Sequence, residues 1–148
     1  MLANDTPADR LTVFVKKECP TCRLIQPVIR DLAQRASSII VVAQDDVSAV
    51  EGLAVIDDTS LEQSFRQGIE AVPTIIRFAN GREVDRTFGW NRDEWRRVTG
   101  FADLGHGLPQ MQPGCGSKSR EPGVFEHLKN SDIMLGITRR PSTTASIP

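Results

Sequence analysis

Two short apolar runs, Leu11-Thr12-Val13-Phe14-Val15 and Ile39-Ile40-Val41-Val42-Ala43, flank a single amphipathic stretch, and this order constrains the fold more than any other feature of the chain. Both runs are apolar and β-branched almost throughout, the pattern of strands covered on both faces, instead of alternating as half-exposed strands do. Between them Leu24, Ile25, Val28, Ile29 and Leu32 recur at helical spacing, while Arg23, Arg30, Asp31, Gln34 and Arg35 fall toward solvent. A helix over 20–35 supplies the crossover that two parallel strands need, and such crossovers are right-handed in nearly all proteins. The spacing therefore predicts a βαβ unit with the strand at 11–15 central in a sheet. Pro27 lies inside the predicted helix, where its missing N–H and ring clash kink the backbone near the second turn without ending the helix.

Further along, Asp45, Asp46 and Gly52 mark a turn, and Leu53 to Ile56 reads either as a short additional strand or as loop. Thr59 with Glu62 has the spacing of a capping box, opening a helix over 60–67 that Gly68 ends in a left-handed cap. Residues 72–78 and 82–88 form a hairpin around Asn80-Gly81, whose positive φ angles suit a type I′ turn. Asn91 with Glu94 is a second capping signal, and Trp95 and Val98 give that helix an apolar side before Gly100. The core is expected to end near Phe101. From Ala102, Pro109, Pro113, Pro122 and Pro141 with Gly105, Gly107, Gly114, Gly116 and Gly123 break any long element, although Val124 to Lys129 can form a helical turn or two. The organisation read is an N-terminal arm over 1–10, an α/β domain over 11–101, and a Pro/Gly-rich irregular extension over 102–148.

With 148 residues the chain matches one domain plus an arm or tail. Its 18 basic and 19 acidic side chains give a net charge of −1, which argues against nucleic acid or an anionic membrane as a partner. No apolar run reaches the roughly 20 residues that span a bilayer, and Met1 to Arg10 lacks the basic and apolar regions of a signal peptide. A soluble, cytoplasmic monomer is expected.

Three cysteines cannot close a disulfide framework, and two of them form Cys19-Pro20-Thr21-Cys22 at the junction of strand and helix. Pro20 suits the first helical position, which puts Cys19 at the N-cap, its sulfur facing unpaired amides and the positive end of the helix dipole. That setting stabilises a thiolate, as do Lys16 and Lys17 if their ammonium groups lie close by, and makes Cys19 the expected nucleophile. Cys22, nearly one helical turn deeper, is the expected resolving thiol. Zinc binding is the competing use of this spacing, but a closed site wants four donors and only the separated Cys115, His106 and His127 remain. No metal is expected. An inert structural disulfide is less attractive, because so short a loop removes little unfolded-chain entropy.

Taken together these residues resemble the thioredoxin-fold thiol–disulfide oxidoreductases. The resemblance covers about Leu11 to Val98: a strand leading to Cys-Pro-Thr-Cys at a helix start, Pro27 five residues on, Gly68-Ile69-Glu70-Ala71-Val72-Pro73-Thr74 leading into a strand, and Phe78-Ala79-Asn80-Gly81-Arg82-Glu83 as a final hairpin. It implies a central mixed β-sheet flanked by helices, and a cis Pro73 facing the cysteine pair, with the backbone of Val72 free to pair with an extended substrate beside Cys19. It further implies disulfide exchange with a protein substrate, an external reductant, a part in cell redox homeostasis, and no cofactor beyond the redox-active disulfide itself.

The departures from the family pattern also shape the expectations. The family's buried acid falls on Val13, and its tryptophan before the first cysteine is replaced by Glu18, a solvated carboxylate or an exposed base. Pro20 and Thr21 occupy the intervening positions that set the redox potential. Cys115, between Gly114 and Gly116, is a candidate accessory thiol able to exchange with Cys19 or join a partner. His106 and His127 read as surface residues, and Arg92, Arg96 and Arg97 as a solvated helix face. The alternative to an oxidoreductase is a noncatalytic redox-sensing or partner-binding module of the same fold.

Overall fold

The computed structural model describes residues 9–118. Five strands form one sheet in the order β3-β2-β1-β5-β6. β1 (Asp9–Val15) is central, parallel to β2 (Ile39–Ala43) on one side and antiparallel to β5 (Thr74–Ala79) on the other, with Val13 opposite both Val41 and Ile75. Burial on both faces explains the unbroken apolar run: Leu11 to Val15 are all buried. The open reading at 53–56 resolves as a strand that begins two residues later and ends one later, β3 (Val55–Asp57), parallel to β2 at the sheet edge, after a 3₁₀ turn over Val47–Ala49.

The helix expected over 20–35 is two helices, α1 (Pro20–Leu24) and α2 (Gln26–Arg35), so the predicted kink is a break at Ile25. Pro27 sits in the first turn of α2, where no intrahelical partner for its nitrogen is needed, and the ladder resumes with Ile29 N–H donating to Ile25 at 3.0 Å. Val28, Ile29 and Leu32 are the buried face of α2.

The next helix, α3 (Glu62–Arg66), starts later than expected, and Thr59 does not cap it. The buried Asp58 does the work instead, its carboxylate accepting from the backbone N–H groups of Gln63 and Ser64 at 2.9 Å each and from Ser64 Oγ at 2.7 Å. β4 (Ala71–Val72) then precedes β5, which turns into β6 (Arg82–Phe88) through Asn80 and Gly81 with φ of 56° and 77°, as a type I′ turn requires. β7 (Trp90–Asn91) leads into α4 (Arg92–Thr99), where Asn91 Oδ1 accepts from Glu94 N–H at 3.1 Å. Trp90 and Trp95 are both buried, with ring centroids 5.4 Å apart.

The core does not end at Phe101. Leu104 is fully buried, and the backbone carbonyls of the following segment are held by α4 and β7 side chains. Arg96 Nε donates to the Leu104 carbonyl at 2.8 Å, Arg92 Nη1 to Leu108 at 3.1 Å and Trp90 Nε1 to Pro109 at 2.7 Å. Arg92 and Arg96 thus anchor the chain's own backbone, while Arg97 pairs with Asp85 at 2.9 Å, so the group is not a free solvated face. Within the span read as irregular, β8 (Met111–Gln112) pairs with β7 and β9 (Cys115–Gly116) with β4. The expectations for residues 1–8, for Val124 to Lys129 and for His127 lie outside the described residues. Among the described residues no helix is long and apolar enough to cross a membrane.

Candidate active site

Cys19 is the N-cap of α1, with extended backbone (φ −146°, ψ 112°), and Pro20 follows at the first helical position. Its Sγ accepts from the Cys22 N–H at 3.2 Å, the contact that the N-cap placement predicts. Cys22 lies beneath it, and its sulfur accepts from the Lys16 backbone N–H at 3.5 Å. Burial pushes the Cys22 thiol well above the ordinary range; the Lys16 amide opposes that shift and the neighbouring Cys19 adds to it. Cys22 is therefore held as a neutral thiol at physiological pH.

The loop before the pair is fixed by backbone contacts instead of by lysine charge. Lys17 N–H and Glu18 N–H donate to the Asp45 carboxylate at 2.7 and 3.1 Å, and the Lys17 ammonium lies 3.7 Å from Asp46. Lys17 thus turns toward Asp46, Lys16 meets Cys22 through its amide, and Glu18 is exposed. The Val72–Pro73 peptide bond is cis, and the Val72 carbonyl lies 3.8 Å from Cys19 Sγ. Val72 and Pro73 are thereby brought beside the cysteine pair.

The Val72 edge is occupied by the chain itself. β9 runs antiparallel to β4 with Cys115 opposite Val72, and Cys115 Sγ lies 2.7 Å from Cys19 Sγ. Thr21 Oγ1 donates to the Pro113 carbonyl at 2.6 Å and accepts from Gln112 Nε2 at 2.9 Å. Beneath this strap the fully buried Gln44 donates to Ser117 Oγ at 2.7 Å and accepts from Lys118 N–H at 2.9 Å. Cys19 consequently has no exposed surface. Of the residues read from sequence, Cys19, Cys22, Thr21, Val72, Pro73 and Cys115 converge, whereas Lys17 bonds to Asp45 through its N–H and pairs with Asp46 through its ammonium, and Glu18 bonds to Asp45 through its N–H. Gln44 and Gln112 carried no sequence signal, since a lone glutamine has no motif. Among the described residues no group of three or more His, Cys, Asp or Glu side chains is placed to hold a metal ion.

Comparison with known proteins bears on this arrangement. The family model described as Thioredoxin matches residues 3–97. The chain is 37% identical over 84 residues to the putative thioredoxin H10 of Arabidopsis thaliana, covering 57% of this chain and 47% of that protein. It is 31% identical over 81 residues to thioredoxin H4 of the same plant, covering 55% and 60%. The chain thus spans about half to three-fifths of the length of these curated relatives. Among solved structures, MTB dsbF, recorded in mixed oxidised and reduced forms, superposes with a TM-score of 0.52 at 23% identity over 62% of this chain and 78% of that one, a likeness of fold.

Proposed function

The chain belongs to the thioredoxin family, and from that premise we propose that it is a thiol–disulfide oxidoreductase exchanging disulfides with a protein partner through Cys19 and Cys22. The observation that carries this reading is the Cys22 N–H directed at Cys19 Sγ at 3.2 Å from the first turn of α1. That amide donates to the sulfur that would attack, which fixes the direction from which Cys19 Sγ presents itself to a substrate disulfide.

Cys19 attacks one sulfur of the substrate disulfide, forming a mixed disulfide and releasing the other sulfur as a thiolate. Cys22 then loses its proton and attacks Cys19 Sγ, so the Cys19–Cys22 bond forms and the substrate leaves with both sulfurs reduced. An external dithiol reverses the oxidation of the pair. With Val13 in place of the family's acid, the Cys22 proton has no buried carboxylate to receive it at that position. The Lys16 amide is the group that steadies the emerging Cys22 thiolate. Electrons reside in the pair itself, and no further cofactor takes part.

The complete covering of Cys19 supports a second reading, a redox sensor in which the pair oxidises once and changes a surface. Reduction of insulin disulfides by a dithiol, followed with wild type, Cys19→Ser and Cys22→Ser, separates the two. Repeated turnover in wild type, lost in Cys19→Ser, and a mixed disulfide trapped when Cys22→Ser is combined with Cys115→Ser support the oxidoreductase. Wild type that never exceeds one equivalent with any dithiol supports the sensor.

A further inference from the structure

We propose that Cys115 is a third redox-active cysteine, carried on a built-in strap that lies where a substrate peptide would and isomerises the Cys19–Cys22 disulfide to Cys19–Cys115. The proposal rests on the exchange chemistry assigned above to Cys19.

Three independent features place the strap as a substrate. First, Cys115 pairs antiparallel with Val72, extending β4 in the way an extended peptide adds to a sheet edge. Second, its Sγ is 2.7 Å from Cys19 Sγ, within about an ångström of the roughly 2.05 Å of a covalent disulfide. Third, the approach is built into the sequence at Gly114, where a Cβ would meet the Val72 carbonyl oxygen at 2.6 Å and Gly89 Cα at 3.1 Å. Only glycine lets this backbone come so near. Thr21 and the Glu70 carbonyl, which accepts from Ser117 N–H at 3.1 Å, hold the two ends. Because the thiol is tethered in the same chain, its attack is intramolecular and outcompetes dilute external thiols.

The step balances without an outside oxidant. The Cys115 thiolate attacks Cys19 Sγ of the oxidised pair, the Cys19–Cys115 bond forms, the Cys19–Cys22 bond breaks, and Cys22 leaves as a thiolate that takes up the proton Cys115 gave up. One disulfide is present before and after. In the Cys19–Cys115 isomer the strap is fastened over the Val72 edge and shuts out other substrates. Return attack by Cys22 on Cys19, or reduction by an external dithiol, releases it. Burial and the adjacent Cys19 raise the Cys115 thiol above its ordinary range, so locking speeds up as pH rises.

The test equilibrates the full chain in a buffer of reduced and oxidised glutathione, quenches it with acid, alkylates free thiols and maps disulfides by peptide mass spectrometry. Wild type is expected to contain both Cys19–Cys22 and Cys19–Cys115 linkages, and Cys22→Ser almost wholly Cys19–Cys115. Gly114→Ala is expected to lower the Cys19–Cys115 fraction at least about fivefold, since overpacking displaces the strap backbone, while Cys19–Cys22 still forms. Cys22→Ser carrying glutathione on Cys19 beside a free Cys115 would overturn the proposal. So would an unchanged linkage ratio in Gly114→Ala. Insulin turnover by Cys115→Ser without any Cys19–Cys115 linkage in Cys22→Ser would sink this proposal and leave the exchange reading standing. The linkage without turnover in any form would do the reverse.

Discussion

Replacing Gln44 by leucine should unfasten the strap while leaving the cysteines untouched. Gln44 is fully buried and makes three hydrogen bonds: Nε2 donates to Ser64 Oγ at 2.9 Å and to Ser117 Oγ at 2.7 Å, and Oε1 accepts from Lys118 N–H at 2.9 Å. Two of the three join the domain to the strap. Ser117 Oγ keeps a bond to the Lys118 carbonyl at 2.8 Å, so its loss is not the full cost of an orphaned buried group. At about 1 kcal/mol net for each bond, opening becomes easier by about 2 kcal/mol. At roughly 1.4 kcal/mol per factor of ten, the open population rises about 30-fold. Iodoacetamide labelling of Cys19 in the reduced protein reads this directly, because the buried thiol reacts only from the open form and its rate follows the opening equilibrium. Ser64→Ala removes the domain-side partner alone and should change the rate by less than about threefold. Equal labelling of Gln44→Leu and wild type would refute the reasoning, as would equal acceleration in Ser64→Ala.

The remaining predictions concern stability. An acid whose folded-state pKa is raised keeps its proton after the unfolded chain has lost it, so the raised Cys22 thiol leaves stability intact below the ordinary thiol value of 9.0 and erodes it above. Urea unfolding of the reduced protein should show a Cys22 contribution approaching about 1.4 kcal/mol per pH unit above that point, so that the profile of Cys22→Ser is shallower by that amount and keeps only what the raised Cys115 thiol contributes; parallel profiles would contradict it. Asp58→Ala should cost about 2 kcal/mol through the lost α3 cap, whereas Thr59→Ala should cost about 0.5 kcal/mol or less, both read from denaturant midpoints. Trp95→Ala should cost about 3–5 kcal/mol in the same measurement, since Trp95 is fully buried and its Nε1 donates to the Gly89 carbonyl at 2.9 Å.

The parts of the fold legible in sequence are those fixed by residues close together in the chain. Two-sided burial writes itself into Leu11–Val15 and Ile39–Ala43 as unbroken apolar runs, and Asn80-Gly81 and Asn91 specify a turn and a cap by their own chemistry. The N-cap position of Cys19 follows from Pro20 in the same way. Thr59 misled because the capping-box pattern counts side chains three apart, while the cap observed comes from Asp58, reached through Leu61 at a left-handed φ of 65° that no pattern announces. The strap was unreadable for a deeper reason. The segment that leads into it meets Arg92, Arg96 and Trp90 through the backbone carbonyls of Leu108, Leu104 and Pro109, which every residue possesses, so these contacts leave no trace in side-chain type.

That same feature suits the strap to be displaced. A segment held by a large apolar face would be permanent, and one with no contacts would leave Cys19 open. Between Gln112 and Ser117 the strap is fastened by individual hydrogen bonds to Thr21, Gln44 and Glu70, each about 1 kcal/mol net, and by close approach at Gly114. A few such bonds keep the thiol covered nearly all the time, yet a partner peptide offering the Val72 edge the same backbone pairing could take the strap's place. Composition that looks like an unstructured tail, rich in proline and glycine around one cysteine, is on this argument what a removable internal substrate requires: a backbone that pairs at one edge and has no core of its own to lose.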